Sequence, residues 1–254
     1  MTKILLIAFS LLCLCGCVPN QEKLSQTLQS HGATLLRRDF KKIGEYLYLY
    51  KEKLDLRNPK AFSPKARYPI FYEIQNGQDS LRITYNDIKL HTYDDYLRVA
   101  FNPSSTVTDR NDFLILGLHK LFYATYEIEK GHRVTTLSYQ QEVFKRLYYY
   151  LEVIKWKIRT AKDINGNYLF VTWQNNWQIE LANTLKKGAN PSWESINKLP
   201  SLKSGKESLF DPSNPNFEIL LNHMIAHTKN SARIVGEEPV DIGIEAMISV
   251  VLFL

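Results

Sequence analysis

The chain has 254 residues, of which 44% are hydrophobic and 23% are charged, and its formal net charge is +6 at pH 7. This composition is typical of a folded globular protein and excludes disordered and fibrous classes. All three cysteines lie within the first 17 residues, which excludes a disulfide scaffold. The length suits a single core, and no internal apolar run reaches the roughly 18 residues of a membrane span.

The N-terminus has the pattern of an export signal. Lys3 supplies a positive charge, and an apolar run over residues 4–14 (ILLIAFSLLCL) follows it. That length is typical of a signal peptide. The run ends in Leu14-Cys15-Gly16-Cys17, which resembles the lipobox of bacterial lipoproteins, except that Cys15 stands where Ala, Ser or Thr is usual.

The resemblance implies a lipid-anchored protein of the bacterial envelope. Residues 1–16 would be the signal peptide, Cys17 would carry the lipid, and residues 17–20 would form a short tether. Each buried methylene contributes about 0.8 kcal/mol, so two or three acyl chains anchor a protein stably. The resemblance implies the periplasmic face of the cell membrane or the outer membrane. Val18 in place of an aspartate favours the outer membrane, by analogy with enterobacterial lipoproteins.

Residues 21–254 are predicted to form one mainly α-helical domain, a single-domain bundle with long loops. Apolar spacing predicts a helix over residues 21–55 that breaks at His31-Gly32. A loop is expected over residues 57–67, because it contains two prolines. Around residues 80–93 the pattern permits either a small β-hairpin or irregular chain between helices.

The middle of the chain carries the clearest helices. A short helix is predicted from its N-cap Thr92 to Phe101. Asp112 is expected to open a buried core helix over residues 113–130, in which Gly117 would let a neighbouring helix approach closely. A further helix is predicted after its N-cap Ser138, in an antiparallel hairpin with the core helix. Its apolar stripe comprises Tyr139, Val143, Leu147, Tyr150, Ile154 and Ile158.

The last third of the chain alternates between loops and helices. A turn at residues 163–167 precedes a short strand or extended connector, and a helix then ends before Gly188. Four prolines predict a long Pro/Ser/Asn loop over residues 188–216. Helices are predicted over residues 216–235 and again from Pro239 to the C-terminus.

The sharpest chemical motif is the pair His223 and His227, whose spacing places two imidazoles one helical turn apart. Such a pair can bind a divalent metal, and the bundle core could bring further ligands to it from His119, Glu127, Asp241 and Glu245. The metalloprotease motif HExxH is absent. The alternative interpretation is that these histidines only form local hydrogen bonds. No other cofactor is expected.

Basic and aromatic side chains suggest binding surfaces. A basic cluster on the first helix (Arg37, Arg38, Lys41, Lys42) and another along residues 145–162 suit anionic lipid or an acidic envelope partner, or form a solvated face. An export signal argues against nucleic acid. Trp173, Trp177 and Trp193 either line a glycan-stacking groove or anchor the loop region.

The sequence contains no G-x-S-x-G and no glycine-rich phosphate-binding motif. We therefore expect a non-enzymatic binding or assembly component of the envelope, with the 188–216 loop and its exposed aromatics as contact surface. Its partners would be the membrane, through the anchor, and an envelope protein or anionic lipid. The alternative is a helical-bundle metal-binding protein or enzyme that uses His223 and His227.

Overall fold

The structure, a computed structural model, describes residues 21–127, 141–170, 172, 176–188, 190, 192–203 and 213–236. It is mainly helical, as the sequence predicts, with one small antiparallel hairpin. The helices are α1 (Gln21–Arg57), α2 (Pro64–Asn76), α3 (Tyr93–Ala100), α4 (Arg110–Thr125), α5 (Gln141–Thr160), α6 (Asn176–Lys186), α7 (Trp193–Asn197), α8 (Pro200–Lys203) and α9 (Ser213–Ile234), and the hairpin strands are β1 (Thr84–Tyr85) and β2 (Ile88–Lys89). None of the helices in these ranges combines the length and the apolar character that crossing a bilayer requires.

One hydrophobic cluster draws on α1 to α5 and α9. The long α1 helix packs most extensively against α9 and also contacts α2 and α4. The predicted break at His31-Gly32 is wrong, because α1 is continuous. Gly32 is buried inside it, and a glycine within a helix costs only about 1 kcal/mol, which packing of the apolar face offsets.

The core helix α4 is buried at every residue from Arg110 to Phe122. It begins before the predicted start, so Asp112 lies inside the first turn, and it ends at Thr125 rather than continuing to residue 130. Gly117 does allow a close approach: a Cβ atom there would lie 2.8 Å from the Leu97 side chain of α3. Residues 128–140 lie outside the described residues.

The helix α5 follows its predicted pattern only in part. Leu147, Ile154 and Ile158 are buried, but the buried member of the tyrosine triplet is Tyr148 rather than Tyr150. The buried face is rotated because α5 packs more extensively against α9 than against its predicted partner α4. The predicted N-cap Ser138 and the stripe residue Tyr139 lie outside the described residues.

Three local predictions before α4 have different outcomes. The predicted loop over residues 57–67 is too long, because α2 begins at Pro64, in the first helical turn where proline is favoured. The hairpin alternative is confirmed: Thr84 pairs with Lys89 across a turn in which Asn86 and Asp87 have φ values of 49° and 62°. Thr92 caps α3 as predicted, in a capping box with Asp95.

The later connections are shorter than predicted. The turn at residues 163–167 is present, and the Asp163 carboxylate accepts hydrogen bonds from two backbone amides within it. After it, Tyr168 forms only an isolated bridge with Lys162, so the connector alternative is the correct one. The loop predicted over residues 188–216 contains α7 and α8, and α9 already begins at Ser213. The predicted C-terminal helix lies outside the described residues.

Candidate functional site

A buried carboxylate joins α1 to α9. Asp39 of α1 is only 1% exposed. Its Oδ1 accepts a hydrogen bond from His227 Nδ1 at 2.8 Å, and its Oδ2 accepts from Asn230 at 2.7 Å and from Ser231 at 3.0 Å. The Tyr126 hydroxyl lies 2.7 Å from Ser231 Oγ and extends the network to α4. We call these five residues the Asp39 cluster.

The two histidines of α9 share an aromatic neighbour. The His223 ring stacks on Tyr46 of α1 with centroids 4.8 Å apart, and the His227 ring lies 5.8 Å from the same tyrosine. His223 is exposed and His227 is half-buried. Because Asp39 fixes Nδ1 of His227 as the donor, Nε2 is the ring nitrogen left to act as an acceptor or a metal ligand.

Two of the four further predicted ligands, His119 and Glu127, lie within the described residues and have different surroundings. His119 is buried in α4, and its Nε2 lies 2.5 Å from the carbonyl oxygen of Gln78. Glu127 follows α4 in a left-handed backbone conformation, with φ of 49°. Within the described part of the chain, no three His, Cys, Asp or Glu side chains are grouped closely enough to hold a metal ion. The structure therefore does not bring His119 and Glu127 to the α9 pair, and Asp241 and Glu245 lie outside the described residues.

The predicted tryptophan surface is only partly described. Trp193 begins α7 and is 70% exposed. Trp177 lies in α6 and is partly buried. Trp173 lies outside the described residues. An exposed tryptophan on a short helix is suited to contact with a partner, because it buries a large area at little entropic cost.

The four cations of the basic cluster on α1 differ in whether they form an ion pair. Lys42 forms an ion pair with Glu45 at 2.6 Å. Arg37, Arg38 and Lys41 are exposed and form no ion pair within the described residues. Arg37 and Lys41 also line a cavity of about 520 Å³ between α1, α2 and α4, which we call the α1 groove. Sequence analysis identified the cations but not the groove beside them.

A second charged network is fully buried and has a structural role. Lys51 of α1 donates to Asp55 at 2.9 Å and to Asp112 of α4 at 2.7 Å. The second Asp112 oxygen accepts from the backbone amide of Ser63 at 2.8 Å. With every group bonded and no solvent access, this network holds α1, α4 and the start of α2 in register.

Sequence reasoning identified only His227 of the Asp39 cluster and missed Asp39, Tyr126, Asn230 and Ser231. Asp39 lies among basic residues on α1, where it resembles an ordinary surface charge. One signal was available: residues 227, 230 and 231 follow the i, i+3, i+4 spacing that places side chains on one helix face. Nothing in the spacing, however, connects that face to α1.

Comparison of the chain with protein-family models, with curated proteins and with solved structures finds no match.

Proposed function

We propose that this protein is a lipid-anchored component of the bacterial envelope that acts by binding or assembly rather than by catalysis. The observation that carries the proposal is the sequence Leu14-Cys15-Gly16-Cys17, which follows an apolar run and precedes α1 at Gln21. Cys17 is the lipidated residue in this proposal. The anchor, the envelope location and the signal peptide all depend on this motif.

The arrangement of α1 supports an anchored role. The helix has 37 residues, so at 1.5 Å per residue it extends about 55 Å. Since α9, α2 and α4 all pack on it, α1 links the proposed anchor directly to the core. A short tether of residues 17–20 would keep this body close to the bilayer, where anionic lipid and other anchored proteins are concentrated.

The test is the acylation and fractionation of two matched variants. Cys17→Ser removes the acceptor thiol, so we expect it to lose incorporation of labelled palmitate and to leave the membrane fraction. Cys15→Ser is the control, because Ser is usual at that position of the lipobox, and it should remain lipidated. If Cys17→Ser stays in the membrane fraction after washing with high salt and urea, the anchor assignment is wrong.

A second candidate function is metal binding by His223 and His227, and one observation favours it. A carboxylate that accepts from the other ring nitrogen is the usual support of a metal-ligating histidine, and Asp39 occupies that position at 2.8 Å from His227 Nδ1. Titration with Zn²⁺ or Ni²⁺ tests it. A His223→Ala, His227→Ala double variant should lose binding, whereas His91→Ala, at an exposed histidine elsewhere, should retain it. Equal binding of the metal by the parent, the double variant and His91→Ala would contradict this candidate function.

A partner surface around Trp193 completes the proposal. The side chain is 70% exposed on a short helix, and exposed aromatics are enriched where proteins bind one another. Chemical crosslinking of the membrane-extracted protein should capture neighbours that a Trp193→Ala variant does not. The control is Leu56→Ala, at an exposed apolar residue of α1. Trp156 is unsuitable for this purpose because it is partly buried.

A further inference from the structure

The α1 groove has mainly apolar walls. Its volume is about 520 Å³, within the range of roughly 300–1,000 Å³ that ligand sites occupy. Three helices supply the walls: α1 provides Phe40, Ile43 and Leu47, α2 provides Ile74, and α4 provides Phe122. A site of this size and lining suits an apolar chain.

Gly44 contributes to the space in the groove. It lies on the groove-facing side of α1, one turn from Phe40, and has no side chain to fill the cavity. A Cβ atom at this position would meet only the carbonyl oxygen of Ile74, at 3.6 Å, which is an ordinary van der Waals contact. Backbone packing therefore does not require a glycine here. A larger residue would fit the helix and occupy the groove.

Positive charge lies at the edge of the groove. Arg37 and Lys41 line it from α1, are exposed, and have no ion-pair partner within the described residues. The acidic residue that lines the groove, Glu45, is paired with Lys42 at 2.6 Å. Glu45 also attracts Lys41 electrostatically. Two exposed cations beside an apolar cavity nevertheless give the charge pattern that an amphiphilic anion complements.

The inner wall of the groove is uncharged. His119 reaches it from α4, and its Nε2 lies 2.5 Å from the carbonyl oxygen of Gln78. Burial lowers the pKa of this imidazole below 6.5, so the ring is neutral at pH 7. The groove is therefore cationic at its edge and neutral at depth, which matches a ligand with one charged end.

We propose that the α1 groove binds a fatty acid, with its carboxylate on Arg37 and Lys41 and its acyl chain against the walls provided by Phe40, Leu47 and Phe122. Arg37 can hold a carboxylate through two parallel hydrogen bonds. This inference gives the binding role proposed above a ligand class. It does not depend on the anchor, because the groove lies in the folded body and the anchor is tested by fractionation.

The test measures binding of dodecanoate to the full chain, carried in the Cys17→Ser background in every sample. Lys41→Glu and Gly44→Leu should each raise the dissociation constant by about tenfold or more. The first removes a charge-assisted hydrogen bond to the carboxylate, and the second places a side chain in the space for the acyl chain. Arg38→Glu is the matched control. It removes an exposed cation of the same helix that does not line the groove, so its dissociation constant should remain within about twofold of the parent.

Two further probes test separately the contributions of the carboxylate head group and of the acyl chain to binding. Dodecyl maltoside has the same chain and no charge, and acetate has the carboxylate and no chain, so both should bind at least about tenfold more weakly than dodecanoate. Circular dichroism melts establish that each variant is folded, and Gly44→Leu should melt no lower than the parent because leucine is the better helix former.

Several results would overturn the proposal. Equal losses of dodecanoate affinity in Arg38→Glu and Lys41→Glu would mean that the positive charge of the whole surface, rather than the groove, attracts the ligand. Unchanged binding in a folded Gly44→Leu variant would mean that the chain does not enter the groove. If dodecanoate does not bind while vesicles containing anionic lipid bind the parent and not Lys41→Glu, the cations contact a bilayer surface instead. None of these results would affect the outcome of the Cys17 fractionation.

Discussion

The imidazole of His227 donates its Nδ1 proton to Asp39 Oδ1 over 2.8 Å, although the two residues are 188 positions apart in the chain. This hydrogen bond ties α1 to α9, the two helices with the most extensive mutual contact. Asp39 is buried and accepts from Asn230 and Ser231 as well. The carboxylate therefore fixes how the face of α9 that carries both predicted histidine ligands lies against α1.

We expect Asp39→Asn to lower the free energy of unfolding by about 1–3 kcal/mol, because the substitution removes the buried charge on which three side-chain donors converge. Urea unfolding at pH 7 measures the change. Asp94→Asn is the control, since its ion pair with Arg98 is exposed and should contribute less than about 1 kcal/mol. Equal effects would mean that the Asp39 cluster does not stabilise the contact between α1 and α9.

The buried lysine of α1 gives a second prediction. Lys51→Met should cost about 3–5 kcal/mol of folding free energy, because it leaves Asp112 as a buried charge without a cation and leaves Asp55 with only Arg67, at 3.5 Å. The same substitution at the exposed Lys42, which is paired with Glu45, should cost much less, because solvent screens an exposed ion pair. Adding Asp112→Asn to Lys51→Met should recover part of the loss. A double variant less stable than Lys51→Met would contradict this interpretation.

Substitution of glycine by alanine should have opposite effects on stability at two positions within helices. Gly117→Ala should destabilise the protein by about 1–3 kcal/mol, because overpacking outweighs the gain in helix propensity, and the new Cβ would lie 2.8 Å from Leu97 Cγ. Gly44→Ala should stabilise it by up to about 1 kcal/mol, since its Cβ meets one atom at 3.6 Å. Thermal melts of both variants, compared with the parent, decide the matter. If the melting temperatures of both variants shift in the same direction, α3 does not approach α4 as closely as described.

His119 gives a prediction about pH. Burial is the largest influence on its pKa and lowers it below 6.5. Below pH 6.5 the unfolded chain therefore binds a proton that the folded protein resists, and the contribution of His119 to stability falls as the pH drops from 6.5 towards the folded-state pKa. Between pH 6.5 and 5, the free energy of unfolding should decrease less in His119→Gln than in the parent. His91→Gln, at an exposed histidine, should follow the parent slope, and an unchanged slope in His119→Gln would refute the assignment.

Local patterns of the sequence predicted much of the fold. The N-cap at Thr92, the hairpin that was one of two alternatives around residues 80–93, and the close approach at Gly117 each depend on a few neighbouring residues or on the absence of one side chain. The failures have a common cause. The continuity of α1 through Gly32 and the burial of Tyr148 rather than Tyr150 depend on what packs against each helix, and spacing alone does not identify that neighbour.

By itself, the sequence determined the helical class, most helix positions, the lipobox-like motif at Cys17, the histidine pair of α9 and the cations of α1, because these are properties of short segments. Only the tertiary structure decided which of these groups meet. It placed Asp39 rather than His119 or Glu127 beside His227, buried Lys51 between two aspartates, and set Arg37 and Lys41 next to an apolar groove. Contacts between residues far apart in the chain depend on how helices pack, and helix packing depends on the complementary shapes of whole surfaces.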